Sequence, residues 1–134
     1  MRSLLDTDTC IAVIRGRGER VLARLRRRRV GTVGISSITL AELEFGVANS
    51  SDPARNAVAL ARFCAPLEIC PFGGEAASRY GRVRAALKRA RTPIGPLDTL
   101  IAAHALALHA TAVTGNEREF RRVPGLRVEN WLTR

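Results

Sequence analysis

The sequence predicts an α/β fold: one domain over residues 1–134, with a mostly parallel central sheet and helices on both faces. Three observations carry that expectation. Short apolar or β-branched runs alternate with longer stretches of helical period along the whole chain, the pattern of repeated strand–helix units. The 134 residues are enough for one buried core, and no repeat, low-complexity tail or long linker divides them. With 46% hydrophobic and 25% charged residues, the composition is that of a globular chain and excludes disorder.

The elements follow in order. Ser3 to Leu5 is an apolar run that ends at an acid, a buried strand terminating at Asp6. Thr9 to Ile14 reads as a short helix with Asp8 as its cap. In "ERVLARLRRRR", Val21, Leu22 and Leu25 form the apolar face of a second helix, with arginines around the rest. "VGTVGIS", Val30 to Ser36, has β-branched alternation without helical period and is a strand. Leu40, Leu43 and Val47 recur at helical spacing in the next segment, which ends near Asn49 to Ser51 ahead of Pro53. A helix over Pro53 to Cys64 precedes a short strand in "LEICPF". Gly73 and Gly74 break the chain before a long helix to Arg91. Pro96 is placed to open another helix, through His109. "ATAVTG" is a strand, and "LRV" ahead of "ENW" is a last one, with Trp131 as a C-terminal core anchor.

Charge narrows the choice of partner. Lys and Arg total 22 against 12 Asp and Glu, a formal net charge of +10, and Lys88 is the sole lysine. Arginine presents a planar fork that grips phosphate through two bonds, so this surface suits a polyanion. A codon bias toward Arg explains the choice of Arg over Lys but not the net charge. A nucleic acid or an acidic protein is the default partner. Cys10, Cys64 and Cys70 form no Cys-x-x-Cys pair and read as reduced thiols of a cytoplasmic protein. The N-terminus has no secretory apolar core. The most apolar stretch, Leu100 to Val113, is 14 residues long and holds His104 and His109, so no membrane association is expected. Both histidines read as helix-packing residues.

The acids are scarce and fall in related places. In an open parallel sheet, sites form beyond the carboxyl ends of strands. Asp6 follows the first strand, and Glu42 lies early in the helix after "VGTVGIS". Asp98 lies in the first turn opened by Pro96, and Glu117 and Glu119 follow "ATAVTG". Each has a plainer explanation. Glu42 would complete a capping box begun by Thr39, Asp98 suits a helix N-terminus, and Glu119 suits a solvated turn. None of these requires all of them to fall at strand exits. Acids gathered there would repel one another unless a cation held them, and hard oxygen ligands suit Mg²⁺ or Mn²⁺.

The segments "LLDT", "ISSITLAELEFG", "PIGPLDTLIAAHAL" and "VTGNEREFRRVPGLRVENW" together resemble PIN-domain ribonucleases, specifically the VapC toxins of bacterial toxin–antitoxin pairs. The resemblance covers nearly the whole chain in order. It implies a metal-binding catalytic set of Asp6, Glu42, Asp98 and Glu119, with Thr114 and Asn116 as supporting polar residues. It also implies Mg²⁺ or Mn²⁺ as cofactor, single-stranded or loop RNA as substrate, a cognate VapB-type antitoxin and a toxin homodimer. Cleavage would use metal-activated water and leave a 3′-hydroxyl. Two positions depart from the family pattern: Asp8 and Gly115 stand where relatives commonly have Asn. Asp8 adds a carboxylate, so its second reading is a supporting, water-mediated role toward the metal.

Two other functions compete. A haloacid-dehalogenase-like phosphatase would use Asp6 and Asp8 in an Asp-x-Asp-x-Thr loop, but Cys10 stands where that Thr belongs. That family also needs a late Lys and a further acidic pair; the sole Lys, Lys88, lies within an Arg-rich helix, and no Asp-Asp pair exists. A catalytically silent RNA- or protein-binding module of the same fold is the remaining alternative. The aromatic content is only 4%, so extended base-stacking platforms are not expected, and no single Arg stands out as an RNA contact.

Overall fold

The computed structural model describes residues 3–133. Its elements run β1 (Ser3–Leu5), α1 (Thr7–Ile14), α2 (Glu19–Arg26), β2 (Val33–Ser36), α3 (Ser37–Ala48), α4 (Pro53–Cys64) and β3 (Glu68–Cys70). They continue with α5 (Gly74–Arg89), α6 (Pro96–Ala107), β4 (Thr111–Val113), α7 (Glu117–Phe120) and β5 (Val128–Glu129). The five strands form one sheet in the order β3-β2-β1-β4-β5, every pair parallel. β1 is therefore central, with Leu5 in register with Ile35 on one side and Val113 on the other. The strand order reverses at β1, and crevices form beyond the carboxyl end of such a strand.

Adjacent residues of β1 serve opposite faces because strand side chains alternate. Leu4 packs with Val83, Leu87, Ile101 and Phe120 under α5 and α6. Leu5 packs with Cys10, Val21, Leu43 and Leu60 under α1 to α4. Both leucines are fully buried, each worth roughly 1.5–3 kcal/mol. β2 and β3 approach so closely at Gly34 that a Cβ there would lie 2.6 Å from the Glu68 carbonyl oxygen. Trp131 belongs to the second core, as its sequence position suggests, and its indole N–H donates to Glu129 at 2.8 Å. The guanidinium groups of Arg24 and Arg28 stack on it, 5.5 and 4.9 Å from the ring centroid.

Several expected boundaries move for local reasons. β2 starts at Val33 because Gly31, at φ +89°, turns the chain, and the Thr32 N–H closes that turn on the Arg29 carbonyl. Val30 is left 84% exposed. α1 starts two residues early, at Thr7, capped by Asp6 and not by Asp8. α3 is capped by Ser36, whose hydroxyl accepts from the Ile38 N–H, so Thr39 lies inside the helix and begins no capping box. The segment carrying Glu117 and Glu119 is a one-turn helix, too short to show a period in sequence.

The two histidines separate. His104 is buried, with its Nδ1 2.8 Å from Ser36 Oγ and its ring edge-on to Phe72. His109 has no packing role: it is exposed at φ +55°, where α6 reverses. The three cysteines are free thiols. Among the described residues no helix is long and apolar enough to cross a membrane.

Candidate active site

The carboxyl ends of β1 and β4 lie side by side, and the loops leaving them build the site. The Asp6 N–H donates to the Val113 carbonyl at 2.9 Å, continuing the ladder one residue beyond β1. That bond turns Asp6 into the space where the sheet order reverses. Its Oδ1 accepts from the Thr9 N–H at 2.9 Å, capping α1, and its Oδ2 accepts from the Thr114 hydroxyl at 2.6 Å. Asp6 is only 1% exposed, and burial pushes its carboxyl above the ordinary range despite those bonds. The Asp8 charge pushes it further in the same direction.

Thr114 passes the arrangement on to the other acids. Its hydroxyl also accepts from the Asn116 N–H at 2.9 Å. The Asn116 amide then donates to Asp98 at 3.4 Å and makes a short bond to Glu119. Asp98 stands in the first turn of α6, opened by Pro96 as expected. Its pKa is pushed up to about 6, first by burial and next by the Asp6 charge. Asp8 and Glu119 add to the rise, while the Asn116 bond opposes it. Thus Asp6, Asp8, Asp98 and Glu119 share one electrostatic neighbourhood although they come from three distant segments.

Glu42 enters from the other side. Its carboxylate accepts from the Thr7 hydroxyl at 2.7 Å, and Thr7 Oγ1 lies 3.3 Å from that of Thr39. Glu42 is therefore held against the first turn of α1, one residue from Asp6, and does not act on Asp98 as Asp6 does. Thr7 is the residue that sequence reasoning missed. It lies 35 positions from its partner and sits between two more conspicuous aspartates, so no local pattern marks it. Asp8 is exposed and contributes its charge; it does not cap the helix. Gly115 is crowded, since a Cβ there would come within 2.9 Å of Leu132 Cδ1, and a larger residue needs that side chain to move.

Chemically, the site is an oxygen-rich crevice under mutual repulsion. Among the described residues, no three acids, imidazoles or thiols converge as a complete ligand cluster. Asp6 and Asp98 with their neighbours nevertheless fit a small hard cation. Mg²⁺ takes one or two carboxylates and fills its other positions with water and phosphate oxygens. A nearby cation would also offset the burial and the repulsion that raise both acids.

Comparison with known proteins places the chain in a family. Residues 3–126 match the family model of the PIN domain. The tRNA(fMet)-specific endonuclease VapC of Salmonella typhimurium is 40% identical over 131 residues, 98% of each chain. Ribonuclease VapC2 of Rickettsia felis is 40% identical over 129 residues, 96% of each. The structure of VapBC2 from Rickettsia felis, bound to a DNA fragment from their promoter, superposes with a TM-score of 0.92 at 39% identity. That match covers 98% of this chain and 99% of the other.

Proposed function

The chain belongs to the PIN-domain family, in its VapC branch, and we propose that it is a divalent-metal-dependent endoribonuclease toxin of the cytoplasm. Its substrate would be single-stranded or loop RNA of the tRNA or rRNA class, and cutting it would stop translation and growth. The observation that carries the reading is the pairing of Asp6 and Asp98 at the reversal point of the sheet, with Asp98 raised to about 6. Uncompensated acids at such a point suit a cation and a phosphate.

Asp6, Asp98 and Glu119 would hold Mg²⁺ or Mn²⁺, with Glu42 reaching in from α3. Such an ion lowers the pKa of a bound water and offsets charge on the scissile phosphate. The chain's own part is positional. Thr9 and Thr114 fix both oxygens of Asp6, so its carboxylate does not rotate. Asn116 keeps Asp98 and Glu119 on a common donor and sets their spacing. Burial excludes water from Asp6 and strengthens its field. No imidazole is needed for proton transfer, because His104 is committed to Ser36 and His109 is exposed at the far end of α6.

Partners follow from the same membership. A VapB-type antitoxin would neutralise the site, since solved relatives are VapBC complexes, and a toxin homodimer is the proposed assembly. The test maps the 5′ ends of cellular RNA after brief induction, wild type against Asp98→Asn. New ends at few sites, absent from the variant, are the expected result. RNA that is bound but left uncut by the purified protein with Mg²⁺ or Mn²⁺ would instead make this a silent binding module.

A further inference from the structure

We propose that the cleft between the C-terminal half of α5 and the turn entering α6 is a nucleotide subsite that leads single-stranded RNA to the acidic crevice. This rests on the ribonuclease reading and specifies which surface its substrate uses. The cavity measures about 510 Å³, within the range of roughly 300–1,000 Å³ typical of ligand sites. Tyr80, Leu87 and Ile94 give it an apolar floor, while Arg84, Lys88 and Arg91 stand around it. An apolar floor with a cationic rim is complementary to a base and its flanking phosphates.

The placement is what selects this cleft among the basic surfaces. Tyr80, Arg84, Leu87, Lys88 and Arg91 recur at helical spacing and so share one face of α5 and its end. The far wall is Pro96 and Thr99, members of the same helical turn as Asp98. The connecting loop is tied to the other side of the acidic crevice by Arg122, which donates to the Pro93 carbonyl at 2.9 Å three residues beyond Glu119. Arg84 donates to the Tyr80 hydroxyl at 3.1 Å, which steadies the ring.

In the other arginine cluster, Arg26, Arg27 and Arg29 are exposed, while Arg24 and Arg28 are committed. Arg24 and Arg28 are stacked on Trp131, and Arg24 also lies 3.7 Å from Glu129. Among the described residues, Arg84, Lys88 and Arg91 make no ion pair. Arg91 is also unusual in its backbone. It sits at φ +59° where α5 ends, with its N–H on the Lys88 carbonyl and the Thr92 N–H on that of Leu87. Glycine is the favoured residue in that motif. A long cation stands there instead, at the cleft.

The test measures binding of a fluorescein-labelled, mixed-sequence single-stranded RNA by anisotropy, in EDTA to prevent turnover and over a range of KCl. Arg84→Gln with Lys88→Gln should raise Kd at least tenfold. It should also flatten the slope of log affinity against log salt by about 1.4, since each phosphate contact on a single strand contributes about 0.7. Arg91→Gly should weaken binding severalfold while the melting temperature stays level or rises. The control removes the same charge from exposed α4 positions, Arg55→Gln with Arg62→Gln. Identical slopes and Kd values for the two double variants would overturn the proposal. So would a cleft variant that binds RNA normally but loses affinity for an acidic peptide, which would make this a protein-docking surface. If cleft variants lose RNA as expected while metal-loaded wild type cuts none, the subsite stands and the ribonuclease reading falls.

Discussion

Asp98 shows how a single carboxyl ties stability to chemistry. Its folded pKa, about 6, lies above the ordinary carboxyl value of 3.8, so the folded state holds its proton more tightly than the unfolded state. The stabilising contribution is complete below about pH 4 and disappears as pH rises through 6, so the metal-free protein carries a desolvated and repelled charge at neutrality. Asp98→Asn should therefore abolish cleavage yet raise the melting temperature at pH 7, with the gain vanishing by pH 4. Calorimetry at the two pH values checks the sign. Asp8 is a milder case, because it is exposed and acts only through its charge. Asp8→Asn should leave cleavage largely intact in a gel assay with metal in excess; complete loss would mean that Asp6 and Asp8 act as one site. The acids at strand exits were legible in sequence because position alone singles them out. Which aspartate caps α1 was not, since "DTD" offers two candidates and only the bond from Thr9 to Asp6 decides between them.

At the scale of elements, the junction of β2 and α3 rests on one hydroxyl. Ser36 accepts from the Ile38 N–H, and its Oγ lies 2.8 Å from His104 Nδ1. The imidazole is held neutral by burial, with the Pro71 carbonyl as a second, opposing influence. Ser36→Ala removes a helix cap and leaves a buried ring nitrogen without its hydrogen-bond partner, a loss of roughly 2–4 kcal/mol. Urea titration measures it, and a loss below about 0.5 kcal/mol would contradict the assigned network. Helical period revealed α2 and α3 in sequence, and Gly73–Gly74 and Pro96 marked the starts of α5 and α6. The single turn of α7 and the start of β2 at Val33 had no such signal. The first is four residues long, and the second is set by a left-handed glycine two positions earlier.

Across the whole molecule, the sheet divides the interior into two cores, and Trp131 seals one of them near β5. Trp131→Ala should cost roughly 3–5 kcal/mol, readable as a fall in the chemical-denaturation midpoint. The fold class was legible because strand–helix alternation leaves few architectures open; the strand order was not, because no local pattern says which strands pair. The network from Thr114 through Asn116 to Asp98 and Glu119 was only partly legible, because two of its bonds join residues 18 and 108 positions apart.

The same division has a consequence for motion. Asp98 comes from the α6 layer, Glu42 from the α3 layer, and Asp6 from the strand between them. A cation shared by these side chains would fasten the two layers at their rim. Amide hydrogen exchange in the first turns of α3 and α6 should slow together when Mn²⁺ is added to the wild type. In Asp98→Asn the two turns should no longer respond as a pair. The protein would then be stiffest when the ion is bound.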